Sequence, residues 1–195
     1  MSGGAQILVP RTSGETKQAS VLPRTRCIMK YVSILSMIFA GAVASSAAAS
    51  EESFLKSIEG QWTGGGSVLT KIGGSNVRVS CKMKSDADAT RFSMDGTCRA
   101  LALVSRSFTA KVASSGISFS GTYVGVSGKP SRLSGARRGN TISFDVTWAN
   151  AVYGDRKATM TIQKVGSNGL RIRTIDRDPS SGKSILTTQL DLRRS

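Results

Sequence analysis

The sequence predicts an all-β protein, an antiparallel meander of eight to ten strands that forms an up-and-down barrel or a strongly curled sheet. From Gly60 onwards, short runs rich in Val, Ile, Thr, Phe and Ser alternate apolar and polar residues with period two. Clusters of Gly, Asn, Ser and Pro separate these runs at short intervals, as hairpin connections do. No long amphipathic pattern interrupts them, so hairpin follows hairpin, which favours an up-and-down barrel over a Greek-key sandwich. Closure would also remove the edges that an open sheet exposes.

Residues 1–28 show neither apolar periodicity nor the character of a signal, and read either as a disordered extension or as sequence ahead of a translation start at Met29. Residues 29–49 match a secretory signal peptide, with Lys30 as a short positive region, residues 31–44 as the apolar region and Ala47-Ala48-Ala49 as a small-residue cleavage site. The apolar run is shorter than the roughly 20 residues that a membrane span needs. The mature chain is therefore expected to begin near Ser50, without a transmembrane anchor, as a single β-barrel domain over residues 50–195 in the periplasm or outside the cell. Cys27 precedes the apolar region and so is not placed as a lipoprotein cysteine.

Within that domain, residues 51–59 predict one or two helical turns with Phe54, Leu55 and Ile58 on one side. The first strand covers residues 61–70 and holds Trp62 and the triplet Gly64-Gly65-Gly66, which predicts a bulge or a close approach of another backbone. Residues 76–84 place Val77, Val79, Cys81 and Met83 in one phase, and residues 91–101 place Phe92, Met94, Cys98 and Ala100 in one phase. Further strands are expected around Phe108 to Val112, Ile117 to Tyr123, Leu133 to Arg137, Ile142 to Ala149, Ala158 to Ile162 and Leu170 to Arg173, with a last strand marked by Ile185, Leu190 and Leu192. Residues 125–132 are expected to be a loop.

Cys81 and Cys98 both fall in the apolar phase of their own strands. A slip of one residue in either strand would turn one of them to water, so their agreement predicts a cross-strand disulfide in an oxidising compartment. Sixteen residues separate the two cysteines, which is not a Cys-x-x-Cys redox spacing.

The chain carries 27 Lys and Arg against 12 Asp and Glu and contains no His. Without His there is no Ser-His-Asp triad and no His-ligated zinc. No catalytic, metal-binding or cofactor motif stands in the sequence, and no enzyme activity is expected. Removal of residues 1–49 leaves 22 basic and 11 acidic groups, a net charge of +11. Arg78, Lys82, Lys84, Arg91, Arg99, Lys111, Lys157, Arg171 and Arg173 lie in polar strand phases, which predicts a cationic barrel exterior.

The helical lead-in, Gly60-Gln61-Trp62 on the first strand, the meander and the basic end at Arg193-Arg194 together resemble the calycin group, the lipocalins and avidin-like barrels. Small exported β-barrels of the Gram-negative envelope are a second resemblance. The calycin resemblance implies that Trp62 packs across a closed barrel end beside Arg193 or Arg194. The chain departs from lipocalins in having no helix after the last strand and in its hairpin disulfide.

The expected function is an exported binding or envelope-maintenance protein holding an apolar or anionic amphiphilic ligand in the barrel. Trp62, Phe92, Phe119, Tyr123, Phe144 and Trp148 are the expected lining, and Arg137, Arg138, Arg171 and Arg173 the expected anion-binding groups. The alternative is a structural or surface-interaction protein that meets anionic lipid or acidic polysaccharide through its cationic exterior. Nucleic acid is not an expected partner, since export carries the protein away from it.

Overall fold

The computed structural model describes residues 43–101 and 103–195. The expected extension at 1–28, the start at Met29 and the signal-peptide residues up to 42 lie outside the described residues. One helix, α1 (Val43–Ile58), leads into ten strands: β1 (Gly60–Leu69), β2 (Asn76–Ala87), β3 (Arg91–Ala100), β4 (Val104–Ser115), β5 (Ser118–Val124), β6 (Pro130–Arg138), β7 (Thr141–Val152), β8 (Asp155–Val165), β9 (Gly169–Arg177) and β10 (Ser184–Arg194). Each strand pairs antiparallel with its sequence neighbours, and β1 pairs with β10 to close the barrel. The predicted all-β meander is therefore a closed ten-stranded up-and-down barrel.

The period-two pattern fixes what faces inward. Met83, Phe92, Met94, Val112, Phe119, Leu133, Ile142, Phe144, Ile162, Leu170 and Leu192 all point into the barrel and are buried there. They lie towards the end where β2, β4, β6, β8 and β10 finish. At that end α1 lays Phe54, Leu55 and Ile58 against the same core. Burial of large side chains at roughly 25 cal/mol per Å² makes this half of the barrel the main source of stability.

Three expectations about individual elements change. The short lead-in at 51–59 is the C-terminal part of a sixteen-residue helix, and Ala47-Ala48-Ala49 falls within that helix. The loop expected at 125–132 ends at residue 129, because Tyr123 pairs with Ser131 and Val124 with Pro130. Pro130 opens β6, where its missing N–H costs no ladder bond. The glycine triplet makes no bulge, since β1 runs in unbroken register with both neighbours. It does permit a close approach: a Cβ on Gly66 would lie 1.8 Å from the Gln189 carbonyl oxygen, and one on Gly64 would lie 2.2 Å from that of Asp191.

Candidate functional site

The two ends of the barrel differ, and the difference locates the candidate site. At the helix end, Trp62 is fully buried and its Nε1–H donates to the Ile58 carbonyl at 3.0 Å. The Arg194 guanidinium lies 4.6 Å from the Trp62 ring centroid and the Lys164 ammonium 5.7 Å from it. Arg194 also donates to the carbonyls of Glu59 at 2.5 Å and Ser57 at 2.9 Å, neutralising the exposed acceptors where α1 ends. Lys164 donates to the Gly166 and Ser167 carbonyls, and its pKa is lowered by burial and then by the nearby Arg194 charge. Of the two arginines that could partner Trp62, the register selects Arg194, which shares the inward phase with Leu190 and Leu192.

Arg137 seals the same end. Its Nε and NH2 groups bind both oxygens of Glu51 at 2.6–2.9 Å, and its guanidinium sits 5.0 Å over the Phe54 ring. Both side chains of this ion pair are largely buried. The helix end is thus plugged by apolar packing and locked by Arg137, Lys164 and Arg194, each with hydrogen-bond partners.

At the opposite end several inward-facing side chains remain half-buried. Val77, Val79, Cys98, Phe108, Tyr123, Trp148 and Ala158 line it. Phe108, Tyr123 and Trp148 form a continuous aromatic shelf, with successive ring centroids 6.2 and 6.0 Å apart. The Tyr123 hydroxyl makes no hydrogen bond among the described residues, and burial raises its pKa. At the end of the shelf the Trp148 Nε1–H donates to Asp176 Oδ1 at 3.1 Å, and the Thr187 hydroxyl donates to Asp176 Oδ2. Asp176 is 3% exposed. Its pKa is raised by desolvation, against which the Thr187 and Trp148 hydrogen bonds act to lower it.

Thr187 reaches Asp176 because a register shift between Leu186 and Thr188 turns it inward. A second shift, between Thr147 and Val152, frees the β7–β8 hairpin to fold over this side of the mouth. There the Tyr153 hydroxyl donates to the Leu69 carbonyl, tying the hairpin to the end of β1. Tyr153 sits at φ 54°, a left-handed backbone that disfavours a bulky side chain. At this end the β7–β8 hairpin thus reaches across β8–β10, while Phe108 and Tyr123 on the β4–β5 side stay half-buried.

The structure separates the sequence-predicted residues by place in the barrel. Trp62, Phe92, Phe119 and Phe144 fill the plugged half, each at most 3% exposed, so they are core side chains; only Tyr123 and Trp148 line the mouth. The four arginines lie in two separate places. Arg137 and Arg138 stand at the plugged end, Arg137 being engaged by Glu51. Arg171 and Arg173 lie on the outer wall, bonded to Asp191 at 2.5 Å and Gln189 at 2.9 Å. The polar phase of Arg171 and Arg173 indicated exposure, but which end of a strand is the mouth is not a property of phase. Asp176 was not marked from the sequence, although it continues the inward series Leu170, Ile172 and Thr174.

Cys81 and Cys98 are directly paired and bonded, with Cα atoms 4.1 Å apart. They sit at the border between the packed half and the mouth. Two concavities, of about 660 and 900 Å³, lie against the β2–β5 wall, the first near Asp88, Arg91 and Lys111 and the second near Lys82, Thr97 and Ser107. Among the described residues no helix is long and apolar enough to cross a membrane. What the fold defines is the class, a closed ten-stranded antiparallel barrel with a helix packed against one end. No protein-family model matches the chain, and no curated protein matches it in sequence.

Proposed function

We propose that the protein is an exported binding module that takes an apolar or amphiphilic small molecule into the open end of its barrel. The observation that carries this reading is the half-buried shelf of Phe108, Tyr123 and Trp148 leading to the buried carboxyl of Asp176. Apolar walls with a few convergent polar groups are what small-molecule sites require. The calycin-like contact of Trp62 with Arg194 supports the same reading, because it plugs the other end. The Cys81–Cys98 disulfide supports an oxidising compartment, hence the periplasm or the extracellular space.

The groups at this mouth argue for a particular head group. Asp176 and Asp155 stand near it, as does Arg156, which donates to the Trp148 carbonyl at 2.7 Å, whereas Arg137, Arg138, Arg171 and Arg173 are elsewhere. A hydroxyl or amine head can donate to a carboxylate and rest on the aromatic faces, and an anionic head cannot. Trp148 provides the test. Titration of the protein with long-chain alcohols, amines and carboxylates of equal chain length, followed by tryptophan fluorescence, is expected to give saturable changes with carboxylates weakest. Trp148→Ala and Tyr123→Ala should each weaken binding about tenfold, the equivalent of losing one buried apolar side chain. Absence of saturable binding by all three classes would refute the reading.

A further inference from the structure

The β3–β4 hairpin stands beyond β5 at the open end, while on its other side β2 runs on to Asn76, past the Val79–Ala100 pair. Pairing between β4 and β5 stops at Thr109 and Val124, whereas β4 runs on to Val104 and β3 pairs with it to the end. The five residues from Val104 to Phe108 therefore extend past β5 by about 17 Å at strand rise. The tip of this finger is apolar and open to water: Leu101 is 80% and Leu103 92% exposed, with Val104 beside them. Leu101 has φ 51°, a backbone that favours glycine, and the Leu103 N–H donates back to the Leu101 carbonyl at 2.7 Å in a tight turn. On the β5–β6 loop at the same end, Val126 is 76% exposed.

The charges around this tip have one sign. Arg99 and Arg106 flank it on the two strands of the hairpin, and Lys129 stands beside Val126. From Gly96 to Phe144 the sequence contains no Asp or Glu. The wall from the end of β3 through β6 thus offers only cations outward, next to four exposed apolar side chains on two neighbouring loops. The disulfide at Cys98 ties the base of the finger to β2, so the tip is presented on a fixed support.

From this juxtaposition we propose that the open end docks onto an anionic lipid bilayer, with Leu101, Leu103 and Val126 entering the headgroup–acyl boundary and Arg99, Arg106 and Lys129 meeting the phosphates. Exposed apolar side chains rimmed by basic ones gain from both terms at such a surface, burial of the leucines and attraction of the cations. A soluble polyanion would engage the cations alone and would leave the leucines in water. The inference stands independently of what the mouth holds, though it would bring the mouth to a membrane from which an apolar ligand could pass.

Co-sedimentation of the oxidised protein with vesicles tests it, comparing phosphatidylglycerol–phosphatidylcholine mixtures with pure phosphatidylcholine. Binding to the mixed vesicles is expected, with little to the pure ones. Leu101→Ser and Leu103→Ser should each weaken it roughly tenfold, and Arg99→Ser or Arg106→Ser roughly fivefold with a shallower salt dependence. In Leu103→Trp, bromine-labelled acyl chains should quench the added fluorescence. Three results would overturn the proposal: no partition onto the mixed vesicles, partition that the leucine substitutions leave unchanged, or a self-association that those substitutions abolish while vesicle binding is absent. Because vesicle binding is read without any mouth ligand, its failure is distinct from failure of the fluorescence titrations.

Discussion

Asp176 faces the barrel interior because residues 170, 172, 174 and 176 share one phase of β9, and at that depth a carboxyl loses water and gains two donors. Desolvation holds its pKa above the ordinary carboxylate range, partly offset by Thr187 and Trp148. Folding therefore raises the proton affinity of this group. Stability from this group is fully present below the unfolded carboxylate pKa and is lost as pH rises through the raised value. Asp176→Asn should remove that loss: its carbonyl can accept from Trp148, and its amide can donate to Thr187, whose hydroxyl still reaches the Thr174 carbonyl at 3.2 Å. The expected outcome is a gain over wild type at neutral pH that shrinks as pH falls through the carboxylate range. Asp176→Ala leaves Trp148 Nε1–H and Thr187 without their partner and should cost about 1–3 kcal/mol. Urea denaturation of both variants across pH measures this, and an Asn variant with unaltered pH dependence would contradict the account.

Single elements were legible in the sequence where pattern is local and illegible where it is not. The apolar side of α1 could be read from Phe54, Leu55 and Ile58, and the strands from their alternation, because neighbours in sequence set both. Glu51 and Arg137 are 86 residues apart, and nothing near either one marks the pair. Only closure of the barrel brings the inward phase of β6 under the helix. The start of β6 was hidden for a related reason, since Lys129-Pro130 carries a turn signal that pairing with β5 overrides. The Glu51–Arg137 pair is what fixes the helix as a plug. Glu51→Ala should leave a buried guanidinium uncompensated and cost about 3–5 kcal/mol, and Arg137→Ala should cost a similar amount. The double variant should cost less than the sum, since it strands neither charge. A thermodynamic cycle by chemical denaturation checks this; additive costs would mean the two side chains act separately.

For the whole molecule, the closed meander was legible because every strand votes on it, whereas the contrast between plugged and open ends was not, because phase says inward or outward but not how deep. Trp62 and Trp148 have the same pattern around them, yet one is fully buried under α1 and the other half-buried at the mouth. The disulfide lies at the border between these regimes, and that position makes its contribution uneven. By restricting the unfolded chain it should stabilise the fold by about 3 kcal/mol. Its local effect belongs to the β3–β4 finger, which beyond Thr109 has no pairing to β5 and depends on β2 for lateral support. In Cys81→Ser/Cys98→Ser, amides of the finger should exchange with solvent faster than in wild type by a factor exceeding that for β7, β8 and β9. Those three strands lie across the barrel and keep Phe144, Ile162 and Leu170 in the packed half. Hydrogen exchange resolved by residue separates the two contributions: a uniform rise in exchange on all ten strands would assign the disulfide to global stability alone, whereas a rise concentrated at the finger would show that it also holds the open end in shape.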